Sequence, residues 1–153
     1  NSSAILVGGA TVPDISKLML NNSFSACGQE MTDAILSLKP KFIISFGQKP
    51  DTDRFVIETA AKQSNVIKTN FNVEELTESL KSAGIPYCIS ENAGRYLCNH
   101  VYYSGLSCIS EGSLNTRMIF IHVPSFRRFS NIEGAAVWLD GYLRDLRTKG
   151  KLQ

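Results

Sequence analysis

Charge of one sign is scarce in this chain. Sixteen Lys and Arg stand against fourteen Asp and Glu, a formal net charge of +2 over 153 residues. A nucleic-acid binder carries a concentrated basic face, and so small a margin supports none. The two locally basic stretches, Arg127-Arg128 and residues 144–151, read as solvated surface. No run approaches the roughly 18 apolar residues that a membrane-spanning helix requires. Histidine is rarer still. Only His100 and His122 are present, and the four cysteines (Cys27, Cys88, Cys98, Cys108) include no C-x-x-C pair, so no zinc site of ordinary spacing can be assembled. No metal and no cofactor is expected. Four cysteines are also too few for a disulfide scaffold. Cys88, inside the apolar run 85–89, reads as a small hydrophobe, and the setting expected is reducing and cytoplasmic. The apolar stretch 4–7 is too short for a signal peptide and no basic segment precedes it.

What the sequence does have is a core. With 43% hydrophobic residues, a chain of this length buries roughly 68–70% of its unfolded surface as one domain, taken as residues 1–153. Continuous apolar runs at 4–7, 41–47, 86–90 and 118–123 have the pattern of strands covered on both faces. Between them run helical stripes. Met31, Ala34, Ile35 and Leu38 precede Pro40, and Val73, Leu76, Leu80 and Ala83 stop at Gly84 with Pro86 beyond. Ile132, Ala136, Leu139, Leu143 and Leu146 mark one face of a last helix starting near Ser130. The alternation predicts a three-layer α/β/α sandwich with a mostly parallel central sheet. No internal repeat or linker interrupts it.

In open α/β sheets, ligands bind beyond the carboxyl ends of the strands. Two of those ends carry reactive groups. The third run leads through Ser90-Glu91-Asn92-Ala93-Gly94-Arg95-Tyr96-Leu97 to Cys98, in the first turns of a helix expected to begin around Ala93-Gly94. The fourth ends in His122-Val123-Pro124. A free thiol, with a pKa of about 8.5, is only a few per cent ionised at neutral pH. A nucleophilic cysteine therefore needs a base and a favourable field, such as unpaired N–H groups at a helix start. His122 is the available base. His100, two residues beyond Cys98 on a helix, points away from it. On spacing alone, Cys98 and His122 are either a catalytic pair or a buried thiol and a capped histidine.

The segment Ser90-Glu91-Asn92-Ala93-Gly94-Arg95-Tyr96-Leu97-Cys98-Asn99 closely resembles the S-x-x-A-G-x-(F/Y)-x-C-N nucleophile motif of the pyroglutamyl peptidase I (pyrrolidone-carboxylate peptidase) family. Phe120-Ile121-His122-Val123-Pro124 is similar to that family's F-I-H-(V/I)-P segment. The resemblance implies a cysteine peptidase with Cys98 as nucleophile and His122 as base. A third family segment, G-x-x-(G/A/P)-x-x-x-x-(L/I/V)-(S/T)-x-E-(R/K)-x-A, is matched by residues 47–61 through Gly47, Pro50, Glu58 and Ala61. It departs at Phe55, Val56 and Thr59. Glu58 takes the position of the family's catalytic acid, and Gln48 a position lining the pyroglutamyl pocket.

The resemblance extends roughly from Lys39 to Arg144 and has two gaps. The family's first strand is followed by G-F-x-P-F-G-G, whose aromatics grip the lactam ring. Here Gly8-Gly9-Ala10-Thr11-Val12-Pro13 contains no phenylalanine. Phe24 or Phe126 would have to fill in from elsewhere. The interval from Glu58 to Cys98 is also shorter than in the family. The implied activity is removal of N-terminal pyroglutamate from peptides through a Cys-His-Glu triad and a thioester, with no nucleic-acid or membrane partner and homo-oligomerisation left open. Two alternatives stand beside it: a catalytically impaired relative that binds a peptide end or a partner protein, and a thiol hydrolase acting on another small amide or ester.

Overall fold

A computed structural model describes residues 2–9 and 14–152. The tetrapeptide 10–13, where the family's aromatic loop would lie, falls outside the described residues. Twelve elements follow one another: β1 (Ser2–Val7), β2 (Ile15–Met19), α1 (Phe24–Leu38), β3 (Phe42–Gln48), β4 (Phe55–Glu58), β5 (Ala60–Lys62), β6 (Val66–Lys68), α2 (Val73–Ser82), β7 (Tyr87–Ser90), α3 (Leu97–Glu111), β8 (Arg117–Val123) and α4 (Ile132–Leu152). Six strands form the main sheet in the order β2-β1-β3-β8-β4-β7, and β5 and β6 form a small hairpin of their own.

The expected α/β layering is present, and strand direction within the sheet is mixed. β3 runs parallel to β8 and β4 parallel to β7, while β1 is antiparallel to both its neighbours and β4 is antiparallel to β8. Side chains alternate across the sheet. Ile43, Met118 and Phe120 point to one face and pack under α1 and α3 with Met31, Ile35, Val101 and Tyr102. Ile44, Ile119 and Ile121 point to the other and pack under α2 and α4 with Leu76, Leu80, Trp138 and Leu143. Coverage on both faces explains why β3 and β8 are apolar without interruption.

The run 86–90 departs from expectation. It forms β7 at the sheet's edge, paired only with β4, and leaves Cys88 exposed and Ile89 57% exposed. An apolar run has the same composition whether one or both of its flanks are paired, so periodicity alone cannot place it at an edge. The helix bearing Cys98 also begins later than Ala93-Gly94. Asn92 Oδ1 accepts the Gly94 N–H (3.1 Å), and Gly94 takes a φ of 91°, a left-handed turn open to glycine. Tyr96 is then the N-cap of α3. Among the described residues no helix is long and apolar enough to cross a membrane.

Candidate active site

β8 supplies the histidine. Gly47 of β3 lies opposite His122 in the parallel ladder, and Val56 of β4 lies opposite it on the other flank. Glu58 is opposite Phe120, two residues back along β8, so Glu58 and His122 are diagonal neighbours on the same face. Backbones at such positions stand about 7–8 Å apart, a gap that a glutamate and an imidazole close between them. His122 Nδ1 donates to Glu58 Oε1 at 2.9 Å. Both groups are buried, His122 at 7% exposure and Glu58 at 0%. The bond fixes the ring, and the Cys98 thiol is the other group near enough to favour a charged imidazole.

Cys98 is half-buried, the second residue of α3, in the turn whose N–H groups have no partner within the helix. Two contacts hold that turn over the sheet. Tyr102, one helical turn beyond Cys98 and fully buried, donates its hydroxyl to the Glu58 carbonyl at 2.7 Å. Asn99 is 5% exposed; it accepts from the Lys62 N–H at 3.0 Å and donates to the Lys62 carbonyl at 2.7 Å. Glu58 thus serves α3 through its backbone and His122 through its side chain. Under the thiol sits Gly47. A methyl group there would come within 2.5 Å of Cys98 Sγ and 2.9 Å of the Phe120 ring, so the sulfur occupies space that only glycine leaves.

The electrostatics follow from this packing. Burial, the largest single influence on His122, works against its charge. The bonds to Cys98 and to Glu58, with their charges, outweigh it and raise the imidazole from 6.5 to about 9. The second carboxylate oxygen of Glu58, Oε2, is buried with no hydrogen-bond partner among the described residues. An unsatisfied buried acceptor costs stability, on the order of 1–3 kcal/mol. A thiol, an imidazole beside it and a carboxyl group bonded to that imidazole are groups that acyl transfer can use.

The search at a shared carboxyl edge needs one correction. β4 and β7 run opposite to β3 and β8, so Cys98 does not arrive at the edge where β8 ends. It reaches His122 from above, through the loop 91–96 and the start of α3. His100 lies on the side of α3 toward α1, its ring 5.5 Å from Phe24, and its Nδ1 accepts from Gln63 Nε2 at 2.8 Å. Gln48 is not brought to the thiol. As the residue after Gly47 it projects from the other face, exposed, into a groove of about 340 Å³ with Val123, Pro124, Phe126 and Phe129. Of the two candidate substitute aromatics, Phe126 lies in that groove and Phe24 beside His100. Sequence reasoning did not single out Tyr102, and it gave Gly47 and Asn99 no role beyond their place in a motif. The i+4 spacing of Tyr102 from Cys98 was the available signal.

Comparison with known proteins finds one group of similar chains. The family model described as Pyroglutamyl peptidase matches residues 63–133, which include Cys98 and His122. The pyrrolidone-carboxylate peptidase of Brachyspira hyodysenteriae is 26% identical over 134 residues, covering 72% of this chain and 67% of the relative. Pyrrolidone-carboxylate peptidase 2 of Caldanaerobacter subterraneus is 42% identical over a shorter stretch of 52 residues. Over residues 63–133, a little under half of its length, the chain is similar to the pyroglutamyl peptidases. Pyrrolidone carboxyl peptidase from Thermococcus litoralis shares the fold with a TM-score of 0.66 at 24% identity, over 73% of this chain and 62% of that one. A mutant of the Pyrococcus furiosus enzyme gives 0.70 at 20% identity, over 83% and 80%. The chain spans about two thirds of the length of the curated relatives it matches. Glu58 lies outside the matched family segment, five residues before its start.

Proposed function

We propose that this chain is a cysteine exopeptidase that removes N-terminal pyroglutamate from peptides. The observation that carries the reading is His122, hydrogen-bonded to Glu58 and neighboured by the Cys98 thiol, in a chain similar to this family. His122 takes the Cys98 proton, and the thiolate attacks the pyroglutamyl carbonyl. The amine leaves with a proton from His122, and water, activated by the same imidazole, hydrolyses the thioester. N–H groups of the first turn of α3 serve the oxyanion, each worth about 2.7–4 kcal/mol if removal elsewhere is a guide. A cytoplasmic, reducing setting suits a reaction that needs Cys98 as a free thiol.

The test is hydrolysis of a chromogenic pyroglutamyl amide by purified protein with reductant present. Turnover that disappears in Cys98→Ala and in His122→Ala is the expected result. Absence of turnover in the unaltered protein overturns the proposal. The lack of aromatic residues at 10–13 favours a second reading, a thiol hydrolase of another small amide or ester. Cleavage of a neutral ester without cleavage of the pyroglutamyl amide is its signature.

A further inference from the structure

Beside Cys98, away from the Gln48 groove, lies a second depression of about 460 Å³ that the mechanism does not use. Tyr96, Asn99 and His100, all within two residues of Cys98, form one wall, and Lys62, Gln63 and Arg95 are among the other lining residues. Its character is opposite to that of the groove. No carboxylate lines it, and two cations do. Neither Lys62 nor Arg95 makes an ion pair among the described residues.

The basin is also built rather than incidental. The backbone of Lys62 is held by both polar atoms of the buried Asn99 side chain, so this cation's root is fixed to the residue next to Cys98. Gln63 is tied to His100 in the same wall. Arg95 enters from the loop before Tyr96, three residues ahead of the thiol. A carbonyl attacked by Cys98 Sγ has the pyroglutamyl ring on one side and the departing amine on the other. The ring is uncharged, so of the two portions only the departing one can offer an anion to a basin lined by two cations.

We infer that this basin is a subsite for the leaving portion of the substrate and that it selects a carboxylate there, using Lys62 and Arg95. The inference rests on the peptidase reading above. The carboxylate has two chemical sources, the free C-terminus of a pyroglutamyl dipeptide or an acidic side chain in the residue after pyroglutamate. Exposed ion pairs are weak individually, so two of them together give a preference of about three- to tenfold at low salt, diminishing as salt is added.

The experiment compares kcat/KM at low ionic strength for pyroglutamyl-alanine, pyroglutamyl-alanine amide, pyroglutamyl-glutamate α-amide (side-chain carboxylate free) and pyroglutamyl-lysine amide. Preference for either carboxylate-bearing substrate over the alanine and lysine amides supports the subsite, and which of the two is preferred identifies the source. In the double variant Lys62→Gln with Arg95→Gln the ratio falls toward one. Equal rates across the set, or a ratio unchanged in the double variant, overturn the inference. A second readout is independent of peptidase activity. The ratio of Cys98 alkylation rates by iodoacetate and iodoacetamide should drop about threefold or more in the double variant, because only the first reagent carries a carboxylate. If no pyroglutamyl substrate is cleaved at all, the peptidase reading fails. The alkylation ratio then decides the basin alone: a drop supports an anion subsite, and no change refutes it.

Discussion

The two faces of β8 were made from one apolar run and do different work. Ile119 and Ile121 point under α4 into a core built from aliphatic and aromatic side chains. Phe120 and His122 point under α3, where that packing opens at the strand's end onto Gly47, Glu58 and Cys98. One face holds the sheet to its helices. The other gives up apolar burial at its end to hold Glu58 hydrogen-bonded to the His122 imidazole. Alternation along a strand lets adjacent residues serve stability and chemistry separately. Substitutions on the two faces should therefore separate into those that lose turnover and those that lose fold.

The largest separation is expected between Cys98→Ala or His122→Ala and Ile121→Ala. The first two should abolish turnover while the thermal midpoint stays within a few degrees. Ile121→Ala, a buried residue beside His122 on the opposite face, should cost about 2–5 kcal/mol of stability in denaturant titration and leave Cys98 reactive in the folded fraction. Loss of stability in all three variants would break the comparison.

Gly47→Ala tests the same face from below. A methyl group within 2.5 Å of Cys98 Sγ forces the thiol off its line with His122, so kcat should fall on the order of 100-fold, the penalty typical of about 1 Å of misplacement. The rate of Cys98 alkylation is the second readout and should fall too. Glu58→Gln should lower the rate less than loss of the nucleophile or base, since an orienting carboxylate acts through the histidine. A silent Glu58→Gln would make Glu58 a structural carboxylate only.

The smallest effect concerns pH. His122 is raised to about 9 in the folded chain against 6.5 when free. Its protonation therefore stabilises the fold fully below pH 6.5, and this contribution is lost as pH rises through about 9. The stability difference between the unaltered protein and His122→Gln should shrink over that window. The kcat should decline through the same range as the general acid is lost. A difference constant from pH 6 to pH 10 would mean that His122 is not charged in the folded state.

Much of this arrangement was legible in the chain itself. The apolar runs at 41–47 and 118–123 became β3 and β8 because both faces are covered, a condition that composition records directly. Cys98 and His122 were legible through motif residues whose spacing the fold converts into a contact. Strand direction was not. Nothing in Phe55-Val56-Ile57-Glu58 states that it runs antiparallel to β8, and that direction is what sets Glu58 diagonal to His122. Cys88 was misjudged for a related reason: burial depends on whether a strand has one neighbour or two, which is a property of the sheet. Gln48 illustrates a third limit. Its place in a motif puts it next to Gly47, and alternation then turns its side chain to the other face.

The thiols give the most direct test of the central claim. Cys88 is the exposed cysteine and Cys98 the half-buried one. If accessibility governs reactivity, Cys88 is modified first. If His122 and the start of α3 activate a nucleophile that recognises pyroglutamate, a pyroglutamyl chloromethyl ketone at low concentration and neutral pH modifies Cys98 first, and turnover is lost in step with that single adduct. Peptide mapping after partial inactivation distinguishes the two. An adduct confined to Cys98 is the predicted result, and labelling of Cys88 or Cys108 ahead of Cys98 would contradict the account.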